Sequence, residues 1–307
     1  MIRSQFSLQA VDGIDINVFK WENTNVDVHG VIQIAHGMAE HILRYEPFCK
    51  FLTTNGFIVY GNDHRGHGGT IALVDEKGFF AEKNGFEKVV HDMKLLSDTI
   101  RIEHPELPLF LFGHSLGSFL TRRYIQLFHY DIAGVILSGT GGDKGLIGKI
   151  GLQIAKWEAK RRGLRTPSPL LDKLTFGHYN KKFEPARTKF DWLTRDTDIV
   201  DQYLEDDLCG FVCTAGLFVD LIYGLEIIHR KEEMNKVPYA LPIFLIAGDQ
   251  DPVGEEGKAV KKVYEQFNRR CENVELKLYE GARHEVLNEI NREEVYADVL
   301  QWIHRVL

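Results

Sequence analysis

Residues 109–128, LFLFGHSLGSFLTRRYIQLF, constrain this chain more than any other stretch. Leu109 to Phe112 form a short apolar run closed by Gly113, the pattern of a buried strand, and Leu116, Phe119, Leu120, Tyr124 and Leu127 then recur at helical spacing. Between them the pattern G-x-S-x-G puts Ser115 on a sharp strand-to-helix turn. Gly113 and Gly117 lack the side chains that would collide when a strand and a helix fold back so tightly. A serine held at a sheet edge in this way is a candidate nucleophile. In a chain with 28 glycines the motif alone is weak, so its weight comes from the strand before it and the helix after it.

The rest of the chain alternates around this unit. Residues 5–10 and 14–20 read as a hairpin about Asp12-Gly13, an antiparallel edge. Residues 31–37 (VIQIAHG), 57–61 (FIVYG), 134–138 (GVILS) and 242–248 (PIFLIAG) are apolar runs of the kind central parallel strands show, and 273–279 (NVELKLY) reads as a further strand. Helical spacing links them: Tyr45, Phe48 and Phe51; then 85–104, ending before Pro105; then helices to about residue 268 and over 289–305. The expected fold is α/β, a mostly parallel eight-stranded sheet with helices on both faces. The alternation stops at Gly139 and resumes at residue 242. The division expected is a core over 1–139, an inserted helical segment over 140–237, and a second part of the core over 238–307. An insertion after a parallel strand falls where ligands bind, so it reads as a lid over Ser115.

A net charge of -7 argues against a nucleic-acid partner. The first residues, MIRSQFSLQAVDG, hold no apolar signal segment and no stretch has the length of a membrane span, so a cytoplasmic location is expected. Cys49, Cys209, Cys213 and Cys271 are few and irregularly spaced and read as reduced structural residues. Nothing in the sequence sets the oligomeric state.

A serine hydroxyl at neutral pH needs a histidine to take its proton and a carboxylate to fix that histidine's tautomer. For a nucleophile on this kind of turn the chain order is Ser, acid, His. Beyond Ser115, His129 belongs with the nucleophile helix, His178 and His229 with the insertion and its end, and His304 with the last helix. His284, on a loop directly after a late strand, is left as the base. The acid belongs in GDQDPVG, where Asp249 and Asp251 compete; Asp251 is favoured because Pro252 biases it to an extended backbone, whereas Asp249 beside Gly248 suits a turn cap. The oxyanion donors expected are the backbone amides of Leu116, at the helix N-terminus, and Met38, after His36-Gly37.

Other motifs give less. SGTGGDKGLIGKIG misses both G-x-G-x-x-G and the Ser or Thr of a phosphate-binding loop, HGMAEH is one residue off H-x-x-E-H, and Cys209/Cys213 lack nearby partners, so neither cofactor nor metal is implied. Ile147, Ile150, Ile154 and Trp157 share a helical face among Lys149, Lys156, Lys160, Arg161, Arg162 and Arg165, which suits either packing on the core or transient contact with a lipid surface or micelle.

HGMAEHILRY (36–45), NDHRGHGGT (62–70), GHSLGS (113–118), AGDQDPVG (247–254) and GARHEVLNE (281–289) together resemble the monoglyceride lipase and lysophospholipase family of α/β hydrolases, related to the proline-iminopeptidase-like serine hydrolases. The resemblance covers the core on both sides of the insertion. It implies the α/β-hydrolase fold, with Ser115 as nucleophile, Asp251 as acid, His284 as base and the Met38 and Leu116 amides as oxyanion hole. It also implies a small lipid-like ester as substrate, a monoacylglycerol or lysophospholipid. Residues 188–211 look like the lids of bacterial members described as lysophospholipases. Phe211, Leu217, Phe218, Leu221 and Ile222 are candidates to line an acyl pocket, although helical spacing of this kind more often means packing between lid and core. Two other readings remain at this stage. An aminopeptidase or amidase of the same fold would use carboxylates such as Glu205, Asp206 and Asp207 for a substrate ammonium, and a non-catalytic binding protein is argued against by the intact Ser, Asp and His.

Overall fold

The first strands are β1 (Ile2–Gln9), β2 (Asp15–Glu22) and β3 (Gly30–Ala35), followed by helix α1 (Glu46–Thr54) and β4 (Phe57–Asn62). Next come α2 (Gly85–Glu103), β5 (Leu109–His114), α3 (Leu116–Leu127) and β6 (Gly134–Ser138). Five helices stand between β6 and β7: α4 (Gly145–Arg162), α5 (Pro169–Phe176), α6 (Thr197–Glu205), α7 (Ala215–Ile228) and α8 (Lys231–Met234). The chain closes with β7 (Ile243–Gly248), α9 (Lys258–Asn268), β8 (Val274–Tyr279) and α10 (Arg292–Val306). This computed structural model describes residues 1–71 and 76–307.

The eight strands make one sheet in the order β1-β2-β4-β3-β5-β6-β7-β8. β1 pairs antiparallel with β2, and β2 antiparallel with β4, while every pair from β4 to β8 is parallel. The inner strands read as unbroken apolar runs because both faces are covered. Val31, Leu109, Leu111, Val135, Leu137, Ile243 and Leu245 point into one core with α2, α3, α7 and α9. Their alternates Ile32, Ile34, Phe110, Phe112, Ile136, Phe244 and Ile246 point into the other, with α1 and α10. Trp302 of α10 is fully buried and stacks on Phe244, with ring centroids 5.6 Å apart.

Because β3, β5, β6, β7 and β8 run in parallel, their carboxyl ends share one edge of the sheet. The segments leaving β3, β5, β7 and β8 there carry Met38, Ser115, Asp251 and His284. α7 is apolar on most sides and lies buried against α2, α3 and α4. Among the described residues no helix is long and apolar enough to cross a membrane. All four cysteines are buried and unpaired.

Candidate functional site

Ser115 is the residue at which β5 turns into α3, and it takes φ 51° and ψ -117°, a conformation that costs a non-glycine residue about 1–3 kcal/mol. The turn is clamped on both sides. The Ser115 amide donates to the Ser138 carbonyl at 2.9 Å, and the Ser118 hydroxyl donates to the Ser115 carbonyl at 2.6 Å. A Cβ on Gly113 would lie 2.4 Å from the Gly117 carbonyl oxygen, and one on Gly117 would lie 2.0 Å from that of Ala35. The two glycines of the motif are thus places where backbone meets backbone.

His284 and Asp251 meet as the chain order requires. The imidazole Nδ1 and Asp251 Oδ2 are 3.0 Å apart, and both side chains are buried. The second oxygen, Oδ1, accepts the Val253 amide at 2.8 Å, which orients the carboxylate. Asp249 does something else: its Oδ1 accepts the Gly281 amide at 2.9 Å and so caps the turn after β8. Burial on its own would push the His284 imidazole down, but the charge and hydrogen bond of Asp251 outweigh it and hold the group above the ordinary histidine value. Trp192 packs over the ring at 5.1 Å between centroids, and the Trp192 and Leu193 carbonyls accept the His284 and Glu285 amides.

The segment after β3 is held just as firmly. Glu40 Oε1 accepts the Gly37 amide at 2.5 Å and the Tyr45 hydroxyl at 2.8 Å, and Arg44 bridges Glu40 to Glu285, making two hydrogen bonds of 2.7 Å to the latter. Arg44 in turn holds the buried Glu285 carboxyl below its usual range. One guanidinium therefore joins the segment carrying Met38 to the one carrying His284. Ala39 sits at φ 55° to make the bend. Among the described residues neither the Met38 nor the Leu116 amide donates to a protein acceptor. His36 and His64 brace each other, the His64 amide donating to His36 Nε2 at 2.9 Å. Burial lowers His36, His64 and His67, to about 3 for His64 and about 4 for His67, so these rings are neutral structural groups.

A cavity of about 220 Å³ opens over Ser115. Met38 and His284 line it near the serine, and Phe176, Phe190, Trp192, Leu193, Phe211 and Val212 supply most of its apolar wall. Of the pocket candidates read from the sequence only Phe211 is there. Leu217, Phe218, Leu221 and Ile222 belong to α7 and pack into the core shared with α2, α3 and α4, because a helix apolar on most sides is consumed by packing. The inserted segment was foreseen, but apart from Phe211 the individual wall residues between 172 and 212 were not, since its short helices and turns carry no single periodicity. Thr188-Lys189-Phe190-Asp191-Trp192, an aromatic-charged alternation, was its one visible mark. Glu205, Asp206 and Asp207 are not among the lining residues.

The family model described as Hydrolase_4: Serine aminopeptidase, S33 matches residues 26–291. The chain is 27% identical over 304 residues to the monoacylglycerol lipase of Mycolicibacterium smegmatis, covering 98% of this chain and 97% of that one. It is 26% identical to the phospholipase YtpA of Bacillus subtilis, covering 87% and 92%. Its fold superposes with a TM-score of 0.92 on a thermostable carboxyl esterase from Bacillus coagulans solved in complex with glycerol, at 29% identity and covering 100% and 99% of the two chains. The fold, the ordered motifs and these matches agree, and the chain belongs to the Hydrolase_4 (serine aminopeptidase, S33) family, among its monoacylglycerol lipase and lysophospholipase-like α/β hydrolases.

Proposed function

We propose that this carboxylic ester hydrolase cleaves a monoacylglycerol or lysophospholipid through an acyl-enzyme at Ser115. The observation that carries the reading is the cavity, whose lining brings Ser115 and His284 together with the aromatic and aliphatic side chains Phe176, Phe190, Trp192, Leu193, Phe211 and Val212. His284 takes the proton as Ser115 Oγ attacks the ester carbonyl, and Asp251 holds the tautomer and steadies the imidazolium. The Met38 and Leu116 amides receive the oxyanion. His284 returns its proton to the departing alcohol, and a water activated by the same base releases the fatty acid.

Residues 140–237 serve as the lid in this scheme, and they supply the cavity wall from Asp172 to Val212. At about 220 Å³ the cavity is below the roughly 300 Å³ at which ligand sites usually begin, so a long acyl chain requires the wall to move aside. Short and medium chains fit with less displacement and are the faster substrates. On α4, Leu146, Ile147, Ile150 and Trp157 are exposed beside Lys149, Lys156, Lys160 and Arg161. This face suits transient contact with the lipid surface that holds the substrate. Glu205, Asp206 and Asp207 do not line the cavity, so in an aminopeptidase or amidase reading the lid carboxylate left to hold a substrate ammonium is Asp172, which does line it.

The test is labelling with a fluorophosphonate, read to the modified residue by mass spectrometry, beside hydrolysis of short and long p-nitrophenyl esters and a panel of monoacylglycerols, lysophospholipids and proline anilides. Labelling confined to Ser115, with loss of ester cleavage, is expected. Faster turnover of proline anilide than of any ester would move the substrate class to peptides, and ligand binding with neither label nor turnover would leave a binding protein.

A further inference from the structure

Three metal-ligating side chains of different chemistry meet just outside the cavity, and the proposed hydrolysis uses none of them. His41 leaves the segment after β3, while Asp206 and Cys209 lie in the turn after α6. The nitrogen, oxygen and sulfur donors all lie within 4.8 Å of one another. His41 Nε2 and Asp206 Oδ2 are 2.8 Å apart, although the two residues are 165 positions apart in the chain. That separation hid the cluster from a reading by spacing, which found Cys209 without partners.

We infer that His41, Asp206 and Cys209 form a binding site for a zinc-like divalent cation that ties the turn after α6 to the segment carrying Met38. The donor set selects the metal. A thiolate with an imidazole and one carboxylate suits zinc, and it is a poor match for magnesium or calcium, which take oxygen ligands. With Cys209 deprotonated and His41 neutral, the ligands carry two negative charges, which balance the cation. Binding releases the Cys209 sulfur-bound proton to water and five of the six aqua ligands of the hydrated ion, three protein ligands and one retained water making up the four-coordinate site. No electron moves.

Tetrahedral bonds of about 2.0–2.3 Å place donor atoms about 3.3–3.8 Å apart. The His41 to Asp206 pair, at 2.8 Å, would have to open slightly to reach this, and the sulfur, within 4.8 Å of both, would have at most about 1.5 Å to close. The backbone around it is already fixed. Asp206 Oδ1 accepts the Leu208 amide at 2.8 Å, leaving Oδ2 turned to His41, and such supporting bonds are what orient a ligand carboxylate. The Ala39 carbonyl accepts both the Gly210 amide and the Tyr203 hydroxyl at 2.9 Å, pinning the two ligand-bearing segments side by side. His41 and Cys209 are buried, whereas the Asp206 side chain is 35% exposed, which gives the ion an entry path and a water for its fourth position.

The experiment is equilibrium dialysis of the full chain against Zn²⁺, with Co²⁺ as a spectroscopic substitute and thermal unfolding measured with and without Zn²⁺. One cobalt ion per chain is expected, with a thiolate-to-cobalt charge-transfer band in the near ultraviolet and a rise in Tm on adding zinc. Cys209→Ala should abolish the band, whereas Cys213→Ala, the neighbouring thiol outside the cluster, should keep it. Asp206→Asn keeps the size of a half-exposed side chain and so guards against a folding failure; it should weaken zinc binding by more than about tenfold. A charge-transfer band that survives Cys209→Ala, binding undiminished in Asp206→Asn, or no cobalt bound at all would each overturn the site and leave a hydrogen-bonded cluster. None of these readouts depends on the hydrolytic reading.

Discussion

The α-carbon of Gly117 faces the carbonyl oxygen of Ala35 so closely that an added Cβ would lie 2.0 Å from it. Neither partner can yield cheaply, since one is the end of β3 and the other the first turn of α3. Gly117→Ala is therefore expected to destabilise the fold by more than the about 1–3 kcal/mol of ordinary overpacking and to displace the Ser115 turn. Urea unfolding and ester turnover check this together. A variant with unchanged midpoint and rate would show that the strand and helix ends are looser than they stand here.

Asp251→Asn keeps the shape of the buried side chain but offers His284 Nδ1 the wrong partner. The expected outcome is a fall of about 10³–10⁴ in kcat with folding intact. Asp249→Asn, by contrast, touches a turn cap and should leave the rate within a few-fold. Equal losses in the two variants would remove the distinction drawn between these carboxylates.

The pH dependence follows from the direction of the His284 shift. Its value lies above the ordinary 6.5, and in the proposed mechanism it must be neutral to accept the Ser115 proton. Ester cleavage should fall as pH drops through a midpoint above 6.5. Stability runs the other way: the charged His284–Asp251 pair contributes fully below about 6.5, and that contribution is lost as pH rises through the folded value. Rates and denaturation midpoints measured from pH 5 to 9 test both signs, and a rate midpoint below 6.5 would contradict the geometry.

Arg44→Ala would leave Glu40 and Glu285, both buried, facing each other without their shared cation. A loss of about 3–5 kcal/mol is expected from an uncompensated buried charge. Since Glu285 is held below its usual value, the stability it supplies is present above the unfolded carboxylate range and lost as pH falls. The variant should therefore be less sensitive to acid than the parent, a difference that denaturation at pH 7 and pH 4 would show.

Replacing Ile147, Ile150 and Trp157 together with Ser removes exposed apolar surface without touching the cavity. Hydrolysis of vesicle-held monoacylglycerol should drop several-fold while that of a short soluble ester stays constant. An equal change in both would point to a folding role for this face of α4.

The sheet was legible in the sequence because burial on both faces leaves runs such as LFLF and VIQIA almost wholly apolar, the one polar member, Gln33, being satisfied by Met93 and Ser97 of α2. The pairing of His284 with Asp251 was legible for a different reason: chain order and the carboxyl edge of a parallel sheet leave few places for either. The cavity wall was not. Trp192 is placed by Asn180, which accepts its amide, and its carbonyl receives the amide of His284, relationships that no local pattern encodes. α7 was open for the opposite reason, since a run as apolar as Ala215–Ile228 predicts burial without saying against what, and of the two readings, pocket wall or packing on the core, the structure shows packing. The meeting of His41 with Cys209 lay beyond spacing altogether.

The order of the strands also bears on the chain as it is made. β5 and Ser115 are complete before either Asp251 or His284 has been translated, and β7 and β8 form one outer side of the sheet. A nascent chain that has emerged only as far as residue 240 carries an ordinary alcohol at its bend. If Ser115 works as proposed, its reactivity arrives last, with the docking of β7 and β8. On the proposed roles of Asp251 and His284, a truncation that loses the final quarter of the chain removes both partners of Ser115 and is expected to lose most of its ester turnover.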